Sequence, residues 1–93
     1  MSTPLKNEVT RETVEFEHFG RTWSVPAKQR LSHMEKLREG FRQTSNLDLA
    51  MVYAYLDDDQ LAALREVDPS EDELDRFTDA IAEAMGFKSA GNS

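Results

Sequence analysis

Apolar and polar residues alternate with a period of two near the beginning of the chain. Val14, Phe16 and His18 alternate with glutamates, which is the pattern of a half-buried strand. A second short apolar run ends at Pro26, and Phe19-Gly20-Arg21 lies between the two runs. The segment 13–25 therefore predicts a β-hairpin with a glycine in its turn. Because an isolated hairpin is only marginally stable in water, its apolar face is expected to pack on the helices that follow.

The remainder of the chain has the three- and four-residue spacing of α-helices. Four helices are predicted, over residues 27–43, 47–57, 59–67 and 71–85. The first has Pro26 at its start and one apolar stripe, formed by Leu31, Met34, Leu37 and Phe41. The last begins with a serine and a glutamate spaced as in a capping box, Ser70 and Glu73, and ends before Gly86.

The helix predicted over 47–57 is apolar nearly all round. Leu47, Met51 and Ala54 form one face, and a second face is formed by Leu49, Val52, Tyr53 and Leu56. A helix without a polar face is buried on both sides or contacts a partner on one of them. Since a short chain cannot easily enclose such a helix, the second face (Leu49, Val52, Tyr53 and Leu56) is predicted to be partly exposed and to bind a partner.

These elements predict a mainly α fold, with an N-terminal β-hairpin followed by a bundle of about four helices. A single domain is expected over 13–87, with a flexible arm at 1–12 and a disordered tail at 88–93. The chain has 93 residues and no cysteine, which excludes disulfides and thiolate chemistry and favours a reducing cytoplasm. No segment has the length of a membrane span or the pattern of a signal peptide.

The net charge of −7 is distributed unevenly along the chain. Residues 1–45 contain eight Lys/Arg and six Asp/Glu, whereas residues 46–93 contain three and twelve, a net charge of −9. An acidic half repels phosphate groups and anionic lipids, so neither nucleic acid nor membrane is an expected partner. The acidic half is interpreted as a solvated face that favours solubility, with a surface for a basic partner as the alternative.

The residue pattern does not predict an enzyme or a cofactor. His18 and His33 lack a second ligand at a metal-binding spacing, and Asp57-Asp58-Asp59 lacks the remainder of a calcium loop. This acidic triplet is better interpreted as a helix cap. No nucleophilic turn or phosphate-binding glycine loop is present. The expectation is a protein with no catalytic residues, no metal and no cofactor, whose aromatic residues mainly pack in the core.

The order of the elements resembles a known family. A glycine-turn hairpin leads into a helix (FEHFGRTWSVPAK), an apolar helix follows (LAMVYAYL), and an acidic break comes next (DDDQLAAL). A Pro-acidic linker then opens the last helix (DPSEDELDRFTDAIAEAMG). This layout, over residues 13–93, is similar to the short form of the tail assembly chaperones of long-tailed, siphovirus-like bacteriophages of actinobacteria.

The resemblance implies a helical, oligomer-forming protein that binds the tape measure protein in the host cytoplasm and is absent from the mature virion. The tail tube protein is a second candidate partner. Two other classes remain open. One is a small acidic regulator, of the antitoxin or anti-repressor type, that neutralises a basic partner. The other is a structural virion component such as a head–tail connector subunit.

Overall fold

The computed structural model describes residues 13–87, and the fold has the predicted class. Two antiparallel strands, β1 (Thr13–His18) and β2 (Arg21–Pro26), are followed by four helices. These are α1 (Leu31–Thr44), α2 (Leu47–Tyr55), α3 (Asp58–Val67) and α4 (Glu71–Ala84). The predicted flexible arm at 1–12 and disordered tail at 88–93 lie outside the described residues.

The hairpin has the predicted turn and a regular register. Phe19 and Gly20 have φ values of 53° and 72°, and a two-residue type I′ turn requires such positive values at both positions. Phe16 pairs with Trp23, and Val14 pairs with Val25. Because paired residues of an antiparallel ladder share a face, these four side chains form the apolar side of the hairpin.

The core lies between the apolar side of the hairpin and α4. Phe77 of α4 is fully buried, and its ring centroid is 4.8 Å from that of Trp23 and 5.7 Å from that of Phe16. Ile81 and Val25 are also buried in this cluster. The prediction that the hairpin packs on the helices through its aromatic residues is therefore confirmed.

Side-chain hydrogen bonds connect the helices to the rest of the fold. The Gln60 side chain of α3 accepts from the Ser24 N–H at 2.6 Å and donates to the Ser24 carbonyl at 2.9 Å. It therefore pairs with the backbone of β2 as a neighbouring strand would. In α4, the buried Thr78 hydroxyl donates to Asp48 Oδ1 of α2 at 2.8 Å.

Side-chain caps form at the starts of three helices. Asn46 and Asp57 accept from backbone N–H groups at the starts of α2 and α3, and Ser70 and Glu73 form the predicted capping box of α4. Gly86 has a φ of 87°, and the hydrogen bonds after α4 have the Schellman pattern. Asp57 therefore serves as a helix cap, as predicted for the acidic triplet.

The start of α1 differs from the prediction of a helix over 27–43. Pro26 is the last residue of β2, where it pairs with Thr13, and α1 begins only at Leu31. Pairing of Pro26 with Thr13 keeps this residue in β2. His33 Nδ1 then accepts the Arg30 N–H at 3.0 Å, which caps the helix at its later start. The second helix is also shorter than the predicted 47–57, since it ends at Tyr55.

Candidate functional site

A groove opens between α2, α3 and α4 on the surface of the protein. Its cavity has a volume of about 190 Å³. We define the groove by the residues that line it, which are Leu49, Val52, Tyr53, Leu61, Leu64, Arg65, Asp68, Pro69 and Leu74. Seven of these nine side chains are predominantly apolar, so the groove is a hydrophobic depression with charged groups only at Arg65 and Asp68.

The residues of the groove differ in depth. Val52 and Leu64 are buried, with 2% and 6% of their surface exposed, and they form the floor. Leu49, Leu61 and Leu74 are half-buried. Tyr53 is 40% exposed and stands at the rim with Arg65 and Asp68. The groove therefore combines a closed apolar floor with an accessible rim.

Three of the four residues predicted to bind a partner meet in this groove. Leu49, Val52 and Tyr53 all line it, because they lie on one face of α2. The prediction that all four are at least partly exposed is wrong for Val52 and Leu56, which are 2% and 6% exposed. The Val52 side chain belongs to the core cluster, together with Leu64 of α3 and Phe77 of α4.

Leu56 is not part of the groove. In an uninterrupted helix it would lie seven residues after Leu49, and therefore on the same face. The helix instead ends at Tyr55, and Leu56 has an extended backbone with φ −98° and ψ 144°. Its side chain is directed into the core. A sequence pattern that assumes a continuous helix therefore assigns Leu56 to the wrong surface.

The walls contributed by α3 and α4 are not predicted as part of a site. In the sequence, Leu61, Leu64 and Leu74 are members of apolar helix stripes, which normally face the core. Whether they line the groove depends on how the three helices pack. The apolar spacing within one helix does not show whether a residue lies in the core or lines a groove. Pro69 and Asp68 join them because the connection between α3 and α4 passes beside Tyr53.

The groove is small compared with most ligand sites. Small-molecule sites commonly have volumes of about 300–1,000 Å³, so this cavity is closer in size to one large apolar side chain. Within residues 13–87, no group of three or more His, Asp or Glu side chains is placed to hold a metal ion. None of the helices in this range is long and apolar enough to cross a membrane.

Two titrating groups, His33 near the start of α1 and Tyr55 at the end of α2, lie apart from the groove. Burial, together with the positive charges of Lys36 and Arg30, lowers the pKa of His33 below its ordinary value. Burial also raises the pKa of the Tyr55 phenol, whose oxygen accepts from Gln29 Nε2 at 2.6 Å. The two rings are 6.0 Å apart. Each group has a hydrogen-bond partner within the fold.

Comparison with protein-family models, with curated proteins and with solved structures finds no match to this chain.

Proposed function

We propose that this chain is a tail assembly chaperone of a long-tailed bacteriophage, which binds an apolar helix of the tape measure protein in the groove between α2, α3 and α4. The observation that carries the proposal is an apolar cavity of about 190 Å³ with an accessible aromatic rim. The order of elements along the chain, from the hairpin to α4, supports the choice of family.

The shape of the groove suits one large side chain of a partner helix. Amphipathic helices dock by inserting apolar residues, spaced three or four apart, into a hydrophobic depression. Leu49, Leu61 and Leu74 provide the walls of such a depression. Tyr53 is well suited to the rim, since tyrosine contributes a large apolar surface and a hydroxyl group and is common among the residues that dominate binding energy.

The charge of the chain is compatible with this role. A protein that presents an apolar groove before it meets its partner risks association with itself, and a net charge far from zero opposes such association. The twelve acidic residues after position 45 provide that charge, and many of them lie on the exposed faces of α3 and α4. The acidic half thus favours a soluble chaperone that keeps a helical partner in solution.

Co-expression with the tape measure protein tests the proposal. The variants Tyr53→Lys and Leu49→Lys place a charge in the groove, so we expect them to remain helical but to lose co-purification with the tape measure protein. Leu56 is unsuitable for this purpose because a charge at this buried position would unfold the protein. Ala62→Lys is the matched control, since Ala62 is exposed on α3 and does not line the groove.

Undiminished co-purification of both groove variants would exclude the groove as the binding site. Equal loss in the Ala62→Lys control would show that the assay responds to added charge and not to the groove. Circular dichroism of each variant establishes that the fold is retained.

A small acidic regulator is the second candidate, and the net charge of −9 over residues 46–93 is the observation that favours it. Attraction between exposed charges is screened at high salt, where the Debye length falls to about 3 Å at 1 M. Burial of apolar surface is not weakened in this way. A complex that persists at 1 M salt therefore supports the chaperone, whereas dissociation supports the regulator.

A further inference from the structure

α1 presents an apolar row that the rest of the described fold leaves accessible. Met34 and Phe41 are 47% and 50% exposed, and Leu31 is 67% exposed. Seven residues are nearly two helical turns, so Met34 and Phe41 lie on one line along the helix axis. Of the stripe predicted from the sequence, only Leu37 packs against the core cluster.

The packing of α1 accounts for the accessibility of this row. The principal contact of α1 is with α2, and the two helices approach closely at Gly40. A Cβ atom at Gly40 would lie 3.2 Å from Ala50 Cα, so the backbones are nearly in contact there. α4 packs mainly on β1. The apolar surface of α1 is therefore wider than the part of it that contacts α2.

Two arginines lie beside this row, and the exposed Glu35 and Glu39 lie further round the helix. Arg38 is seven residues from Leu31 and Arg42 is one turn further, so both lie on the side away from Gly40. Arg42 forms an exposed ion pair with Glu39 at 3.0 Å, while Arg38 has no ion pair among residues 13–87. From Pro26 to Ser45 there are five Lys/Arg and two Glu, which makes this the basic part of an acidic protein.

We infer that α1 is a second docking surface, which binds an amphipathic helix with acidic residues along one flank of its apolar stripe. Leu31, Met34 and Phe41 extend over ten residues, or about 15 Å, which corresponds to about three turns of a partner helix. The acidic flank of that helix would meet Arg38 and Arg42. The inference does not depend on the groove, because none of these five residues lines it.

Synthetic peptides provide the direct test. Two helical peptides of about 18 residues, long enough for appreciable helicity, carry leucines at three- and four-residue spacing. One has glutamates on the flank and the other has lysines. We expect the full chain to bind the glutamate peptide at least about tenfold more tightly than the lysine peptide. Arg38→Glu combined with Arg42→Glu should reverse this preference, and Phe41→Gln should weaken binding of the glutamate peptide about tenfold.

Matched variants distinguish this surface from the groove and from the other faces of α1. Lys36→Glu also reverses one charge on α1, but it lies on another face and should retain the preference for the glutamate peptide. Tyr53→Lys in the groove should also retain the preference for the glutamate peptide, so loss of tape measure binding and loss of this preference are distinguishable. Amide shifts of the unmodified protein on peptide addition should be largest in α1.

Three results would overturn the inference. The first is equal affinity for the two peptides, or a preference that persists in the Arg38→Glu, Arg42→Glu variant. The second is a set of amide shifts confined to the groove. The third is a dimer of the chain alone that Phe41→Gln abolishes, since a second copy would then occupy this surface.

Discussion

Phe77 lies at the centre of the aromatic cluster that joins α4 to the hairpin. Its ring is stacked on that of Phe19 with centroids 5.4 Å apart, and the His18 ring is also 5.4 Å away. Together with Trp23 and Phe16, these contacts surround a side chain that has no exposed surface. Since tightly packed interiors do not collapse readily around a missing ring, Phe77 is the residue on which the core depends most.

Phe77→Ala is therefore expected to reduce the free energy of unfolding by about 3–5 kcal/mol, through lost apolar burial and a residual cavity. Urea denaturation followed by circular dichroism measures this change. Phe41→Ala is the control, because Phe41 is 50% exposed and removal of its ring should cost clearly less than removal of the Phe77 ring. Similar small losses in both variants would contradict the central position of Phe77.

Protonation of His33 affects the hydrogen bonding at the start of α1. In its neutral form Nδ1 accepts the Arg30 N–H, and protonation removes that acceptor. The pKa of His33 is lower in the folded state than its ordinary value of 6.5, mainly because of burial and also because of the charges on Lys36 and Arg30. The unfolded chain therefore takes up this proton first as the pH falls.

Stability should consequently be greatest above the unfolded-state pKa of His33 and decrease as the pH falls from about 6.5 through the folded-state pKa. The measurement compares urea midpoints at about pH 7.5 and pH 5.5 for the wild type and His33→Asn. Asparagine keeps an acceptor oxygen but does not titrate, so the variant should lose less stability at the lower pH. An identical pH dependence in both proteins would refute this role of His33.

At the scale of elements, the contact between α1 and α2 depends on a small residue. Gly40 is buried in the middle of α1 although glycine is a poor helix former, and the backbone of Ala50 lies opposite it. The close approach is the physical reason for a glycine here. The missing side chain of Gly40 lets α1 and α2 pack together with few large side chains between them.

Gly40→Leu is expected to destabilise the protein by about 1–3 kcal/mol by forcing α1 away from α2, despite the better helix propensity of leucine. Ser32→Leu places the same side chain on the exposed face of α1 and should leave stability nearly unchanged. Thermal or urea denaturation of the two variants measures the difference. A stabilised Gly40→Leu variant would show that the helices tolerate a wider separation.

The elements themselves were largely predictable because their signals are local. The alternation in β1, the caps at Asn46 and Asp57 and the capping box at Ser70 each act within a few residues. The late start of α1 was missed because Pro26 is compatible with a strand end as well as a helix start, and pairing with Thr13 determines the outcome. That pairing depends on the register of the whole hairpin.

For the whole molecule, prediction of the candidate site was partial. The helical period predicts that Leu49, Val52 and Tyr53 lie on one face of α2, and all three line the groove. The exposure of each residue depends instead on which neighbours cover it, so Val52 became the floor and Tyr53 the rim. The accessible row on α1 was missed for the same reason, since an amphipathic stripe does not specify how much of it a neighbour covers.

Site-specific photo-crosslinking during co-expression tests the proposed contact between the groove and the tape measure protein. A photoreactive residue replaces Tyr53 at the rim in one variant and Ala62 on the exposed side of α3 in the other. If the groove binds the tape measure protein, a crosslinked product is expected from position 53 and little or none from position 62. Equal yields from the two positions, or no product from position 53, would contradict it.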